Sequence, residues 1–245
     1  FNNLTEEAAL GIVRVERQRN KLTFLGLARC GIFNNLTEEA ALGIVRVERQ
    51  RNKLTSLGPT GATEIAEYVS GSGVLTKLDL SGNSIGPTGA LGIVRVERQR
   101  NKLTFLGLAR CGIGPTGAAE IAEYVSGSGV LKTLNLSHNQ LCGVDFMGRG
   151  TYSVSIRWAR APTRTSASRV GITALAEALK VNEVLTNLNL FFNNIGPPGA
   201  TAFADALRVN GVLKHLDIRA NSLGDEGKGA IRDAVSGREG FELEM

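Results

Sequence analysis

Aromatic side chains are scarce in this sequence: Phe, Tyr and Trp together make up 5% of 245 residues. Any core has to be assembled from Leu, Ile, Val and Ala. Cys30, Cys111 and Cys142 form an odd set with no Cys-x-x-Cys pair. That argues against a disulfide framework and for a reducing compartment, so a cytoplasmic location is expected. His138 and His215 are the only histidines, and neither a His-x-x-x-His nor a His-Glu-x-x-His spacing occurs, so no zinc site is expected. Apolar runs of roughly eighteen residues are absent, which argues against a membrane-spanning helix. The chain opens on Phe1 with no signal-peptide pattern behind it, which reads as a fragment.

What remains is the composition of a folded, soluble chain. Hydrophobic residues are 42%, charged residues 21%, and Gly contributes 30. The formal charge is +5, but its distribution is uneven. The segment Arg14–Lys21 carries +3 and recurs at 46–53 and 95–102. Three copies supply +9, so the rest of the chain is net −4. The basicity comes from copied text. These segments raise nucleic-acid binding as an alternative, one that demands steep salt dependence, but the charge outside them does not support it.

Repetition runs at two levels. Residues 1–23 reappear unchanged at 33–55, residues 9–32 reappear at 90–113, and 58–75 match 114–131 apart from Thr63 against Ala119. Beneath this copying lies a degenerate pattern. With Leu75, Leu103, Leu131, Leu185 and Leu213 as position zero, Leu78, Leu106, Leu134, Leu188 and Leu216 follow at +3. Leu80, Leu108, Leu136, Leu190 and Ile218 stand at +5, and Asn83, Cys111, Asn139, Asn193 and Asn221 at +8. Leu22 begins a similar run that reaches Cys30.

Leu-x-Leu alternation predicts a short strand with one buried face. An Asn where the chain turns inward predicts a buried ladder that satisfies backbone groups of neighbouring coils, and Cys fits the same slot as a weak S–H donor. Gly-Pro at 86–87, 114–115 and 196–197 starts a helix in each unit. Ala118, Ile121, Ala122 and Val125 then share one helical face, as do Ala200, Phe203, Ala204 and Leu207. The expected fold is α/β: a single βα solenoid over residues 1–245, with a parallel concave sheet and convex helices.

This pattern resembles the leucine-rich repeat family, specifically its ribonuclease-inhibitor-like class. It is similar to the repeat regions of NOD-like receptors and of Ran GTPase-activating proteins. The copied text also looks like repeat proteins of unicellular marine algae. The resemblance implies a non-enzymatic recognition scaffold for a protein partner, without cofactors. Its alternatives are a regulator of a Ran-like GTPase, although no acidic tail is present, and a degenerate duplicated repeat protein.

Four places depart from the pattern. The unit at Leu54 is truncated, so an irregular coil is expected near 54–74. Residues 142–170 form an insertion with the only Trp, Trp158, and are expected to be a partly disordered loop. Glu16, Glu48 and Glu97 stand where other units carry Val125, Leu179 or Leu207, so the later turns of the copied helices are expected to be exposed. Phe241 falls in the slot of the next leading Leu, which predicts a closing strand to Met245, with a helix from Thr5 to about Arg19 capping the other end.

Catalytic motifs do not emerge. Gly-Ser-Gly at 71–73 and 127–129 precedes strands instead of opening helices, and no phosphate loop or dinucleotide fingerprint occurs. Candidate function therefore lies on the outward sheet face, at +2, +4, +6 and +7. The expected partner-binding residues there are Phe105, Asn135, His138, Asn187, Asn189, Phe191, Phe192, His215, Asp217 and Arg219. Phe191 and Phe192 are the most informative, because adjacent aromatics at exposed slots are typical of interface hot spots.

Overall fold

The computed structural model describes residues 24–26, 59–143 and 167–245. The expected N-terminal helix, the slot of Cys30, the start of the Leu54 unit and most of the 142–170 insertion lie outside the described residues.

Each Leu at +3 is the centre of a three-residue strand. The strands are β1 (Phe24–Gly26), β2 (Lys77–Asp79), β3 (Phe105–Gly107), β4 (Thr133–Asn135), β5 (Asn187–Asn189), β6 (His215–Asp217) and β7 (Glu242–Glu244). They form one parallel sheet in chain order. Leu78, Leu106, Leu134, Leu188 and Leu216 pair in register from strand to strand and are fully buried. Leucines at zero and +5 flank them on the same inner side, and burial of such side chains stabilises by about 2 kcal/mol each.

Between strands run helices α1 (Pro59–Gly71), α2 (Gly86–Arg100), α3 (Gly114–Gly127), α4 (Ala167–Val181), α5 (Gly196–Val209) and α6 (Gly224–Val235). Proline opens α2, α3 and α5 at the first helical positions, where its missing N–H costs nothing. Small residues stand where helices of successive coils meet, as at Gly89 against Ala62 and Gly227 against Ala200. A Cβ at Gly171 would lie 2.3 Å from the carbonyl oxygen of Pro115, so α4 can approach α3 only with glycine there. Strands pack about 4.8 Å apart and helices about 8–10 Å apart, so stacked coils curve with the sheet on the inside.

Strand spacing separates regular coils from interrupted ones. Partners are 28 residues apart from β2 to β3, β3 to β4 and β5 to β6. They are 53 apart from β1 to β2 and 54 apart from β4 to β5. In both cases the paired strands are immediate neighbours in the sheet. The last step is 27, because Leu243 lies opposite Leu216. This corrects the expected place of Phe241. It sits one position past the leading slot, half-buried, with the Arg238 guanidinium 4.5 Å above its ring.

The ladder at +8 is present. Asn139 Oδ1 accepts from the N–H groups of Cys111 (2.9 Å) and Ile113 (3.3 Å), while its Nδ2 donates to the carbonyls of Leu108 and Leu136. Asn193 serves Asn139 and Leu141 in the same way, and Asn221 serves Asn193 and Ile195. Cys111 is fully buried and donates its S–H to the carbonyl of Leu80 at 3.2 Å. Burial pushes its thiol up to about 12, against the lowering effect of nearby backbone amides.

A second ladder runs where each helix hands over to the next strand. The leading N–H groups of Leu75, Leu131, Leu185 and Leu213 donate to the side chains of Ser72, Ser128, Asn182 and Asn210. Asn210 also donates to the carbonyls of Leu179 and Asn182 in the preceding coil. In α2 this slot holds Arg100, and the acceptor is Glu97, whose Oε2 takes the N–H of Leu103 at 3.0 Å. Arg100 pairs with Glu97 and donates to the carbonyl of Leu75. Glu97 is fully buried, so the expected exposure of this helix end does not occur. The carboxylate is tolerated inside because an arginine and backbone N–H groups satisfy it.

Candidate functional site

Where the chain leaves each strand, three successive constraints set the outward face. The +4 side chain folds back to accept the N–H of +6: Asp79 from Ser81, Asn135 from Ser137, Asn189 from Phe191, and Asp217 from Arg219. The +7 residue then takes a left-handed backbone, with φ of 78° at Gly82, 53° at Arg110, 57° at His138, 57° at Phe192 and 55° at Ala220. That turn sends +8 into the ladder. The +7 N–H is held by the +6 carbonyl of the next coil, as in His138 to Phe191 (2.8 Å) and Phe192 to Arg219 (3.1 Å). The +6 and +7 side chains therefore project from a rigid rim.

On that rim the structure gathers His138, Phe191 and Phe192. The imidazole lies 5.0 Å from each phenyl centroid, edge-on to Phe191 and tilted to Phe192, and the two phenyls are 6.2 Å apart. Phe192 is 40% exposed. A bulky residue in the left-handed region costs roughly 1–2 kcal/mol, so Phe192 combines backbone strain with an exposed apolar ring.

Cations border the cluster on both sides, in different states. Arg219 lies 5.6 Å over the Phe191 ring and is bonded to Asp217 (3.0 and 2.9 Å) and to Glu244 (2.6 Å). The Asp217 bond, and beyond it the charges of Asp217 and Glu244, raise its pKa. On the other side, Arg110 donates to Nε2 of His138 at 3.4 Å and joins no ion pair among the described residues. Burial, then Arg110, lowers the pKa of His138, so the imidazole is neutral near pH 7 and Nδ1 carries its proton.

The other expected contact residues divide. Asn187 is exposed on β5, and Phe105 is half-buried on β3. His215 is half-buried and bonded to Glu244 at 2.9 Å. Asn135, Asn189 and Asp217 are held in the +4 turns, and Asp217 is only 3% exposed. Each of these three side chains accepts the +6 N–H of its own turn. Two residues left out of the expected set join the site. Arg110 shares the +7 slot of His138 and Phe192, which was visible in the repeat register. Glu244 was not, since its reach to His215 and Arg219 depends on β7 pairing beside β6.

The rest of the described surface is less organised. The basic copy at 95–102 is largely spent on internal bonds: Arg98 pairs with Glu120 and Glu123, Arg100 with Glu97, and Lys102 donates to the carbonyl of Gly73. Hollows of about 510 and 360 Å³ lie near the helix C-terminal ends, at the opposite edge of the coils from the aromatic rim. Among the described residues no three His, Cys, Asp or Glu side chains come together as a metal site. No described helix is long and apolar enough to cross a membrane.

With the geometry in place, the chain can be set beside known proteins. A family model described as Leucine Rich repeat matches residues 74–94, 100–122, 181–204 and 209–231. A second, described as Leucine Rich Repeat, matches 130–148. The first four spans include strands β2, β3, β5 and β6, and the last includes β4. No curated protein matches the chain.

Proposed function

Because the chain is a leucine-rich repeat protein, we propose that it is a protein–protein interaction scaffold whose concave sheet face docks a partner on the rim formed by His138, Phe191 and Phe192. The observation that carries this reading is Phe192. The residue is 40% exposed, and its backbone occupies a conformation that glycine would adopt without strain. Phe105, Asn187, His215 and Arg219 form the surrounding contact area, within which a few anchors supply most of the affinity. The 28-residue step, with a helix in every regular coil, supports the ribonuclease-inhibitor-like class. The family role supports a function by contact, without chemistry of the chain's own. The buried Cys111 thiol, bonded to the Leu80 carbonyl, fits a cytoplasmic setting.

Phe192→Gly tests the reading, because it separates binding from stability. The left-handed position favours glycine, so thermal stability is expected to hold or rise by about 1 kcal/mol. Capture of the partner by the full chain is expected to fall at least about tenfold. The triple change of Phe191, Phe192 and Arg219 to Ala is expected to abolish it. Undiminished capture by both variants would remove the concave rim as the docking site.

A further inference from the structure

The proposed rim has a polarity that specifies its ligand, and the inference drawn from it rests on that docking reading. Of the two arginines beside the aromatic trio, Arg219 is already neutralised by Asp217 and Glu244. Arg110 is exposed, joins no ion pair among the described residues, and is steered toward the cluster by its hydrogen bond to His138. Its neighbour His138 is held neutral by burial and by Arg110 itself, so the imidazole contributes ring surface without cancelling or adding charge. Among the described residues the rim thus presents one available cation, then an imidazole, then two phenyl rings, in successive coils.

We propose that the occupant is an extended segment of a partner protein that places a carboxylate on Arg110 and an apolar side chain against Phe191 and Phe192. The carboxylate meets a planar, permanently charged donor set suited to it. The apolar side chain meets a partly exposed ring pair whose positions are locked by the coil-to-coil bonds of the rim. Arg110 and Phe192 stand at equivalent positions two coils apart, so the two anchors are separated by about 10 Å. An extended polyproline-type segment advances about 3.1 Å per residue with three residues per turn, which brings residues three apart onto one face at nearly that separation. The recognised unit is therefore an apolar residue and an acidic residue three positions apart, crossing the strands.

Fluorescence anisotropy with the full chain tests this, using short labelled peptides that carry Phe and Glu three positions apart, and matched peptides with Lys in place of Glu. The Glu peptide is expected to bind about tenfold more tightly than the Lys peptide, a preference that shrinks with added salt. Arg110→Glu is expected to reverse the order, and Phe192→Gly to weaken both. Equal binding of both peptides, or an order unchanged by Arg110→Glu, overturns the acidic-segment proposal while leaving the docking face intact. Binding indifferent to Phe192→Gly overturns both. Absence of binding by either peptide overturns the proposal, and the capture experiment with the Phe192 variant then judges the docking face separately.

Discussion

The coil from α2 through β3 and the coil from α5 through β6 follow the same path with different side chains. In the second, Asn210 alone closes the helix-to-strand turn, accepting from Val212 and Leu213 and donating to carbonyls of the preceding coil. In the first, that work is divided. Glu97 accepts from Lys102 and Leu103, and Arg100 donates to the carbonyl of Leu75. The ion pair between Glu97 and Arg100 joins the two halves into one functional asparagine. The same contrast recurs at the strand exit, where Cys111 stands in for the asparagine that Asn221 provides. The coil imposes a demand for donors and acceptors at fixed places, and several side-chain combinations meet it.

The sharpest way to break this equivalence is Glu97→Val, which installs the residue found at the matching position of α3. It leaves the Arg100 guanidinium buried without its carboxylate and the Leu103 amide without an acceptor. A loss of about 3–5 kcal/mol in urea denaturation is expected. Glu97→Val combined with Arg100→Asn restores the one-residue arrangement, and most of that loss is expected to return. If the single change were neutral, the buried pair would not be closing the turn.

The strand-exit ladder gives the next largest effect. Asn193→Ala removes the acceptor for Asn139 and Leu141 and the donor for Leu136 and Leu190, for an expected cost of about 3 kcal/mol. Cys111→Ala removes one weak bond and a small packed volume, for about 1 kcal/mol. Equal losses would mean that the cysteine coil carries a full ladder bond after all.

The smallest effect concerns the rim. The folded pKa of His138 lies below the ordinary value of about 6.5 because of burial and Arg110. As pH falls through that value the unfolded chain takes up the proton first, so stability is complete above it and declines below it. His138→Asn, which tolerates the left-handed backbone, is expected to flatten that part of the melting-temperature profile between about pH 7 and pH 5.5. An unchanged profile would show that His138 is not held neutral by its surroundings.

Much of this molecule can be read from residue spacing. Leucines at zero, +3 and +5 can share only one buried side of a short strand, and seven strands stand at the expected places, the closing one displaced by a single residue. The +8 ladder was equally legible, because a buried Asn on a turn has few other partners. Glu97 was not. Its carboxylate looks misplaced until the turn brings Arg100 and the Leu103 amide to it, and that closure depends on backbone geometry. The outward face was legible as a set of slots, but not in its division of labour. Asp217, Asn135 and Asn189 occupy outward positions and yet serve their own turns.

The linear text by itself determined the coil: its period, its buried leucines, its inward asparagines and the aromatic pair on its rim. It could do so because each of these follows from local periodicity and from the need to bury apolar surface. Only stacking decided which charges remain available, since Arg219 is neutralised by Asp217 of its own turn and by Glu244 of the next strand, a full coil on in sequence but adjacent in space, while Arg110 joins no ion pair among the described residues. Electrostatic pairing acts over a few ångströms between neighbouring coils, and that distance exists only once the sheet has formed.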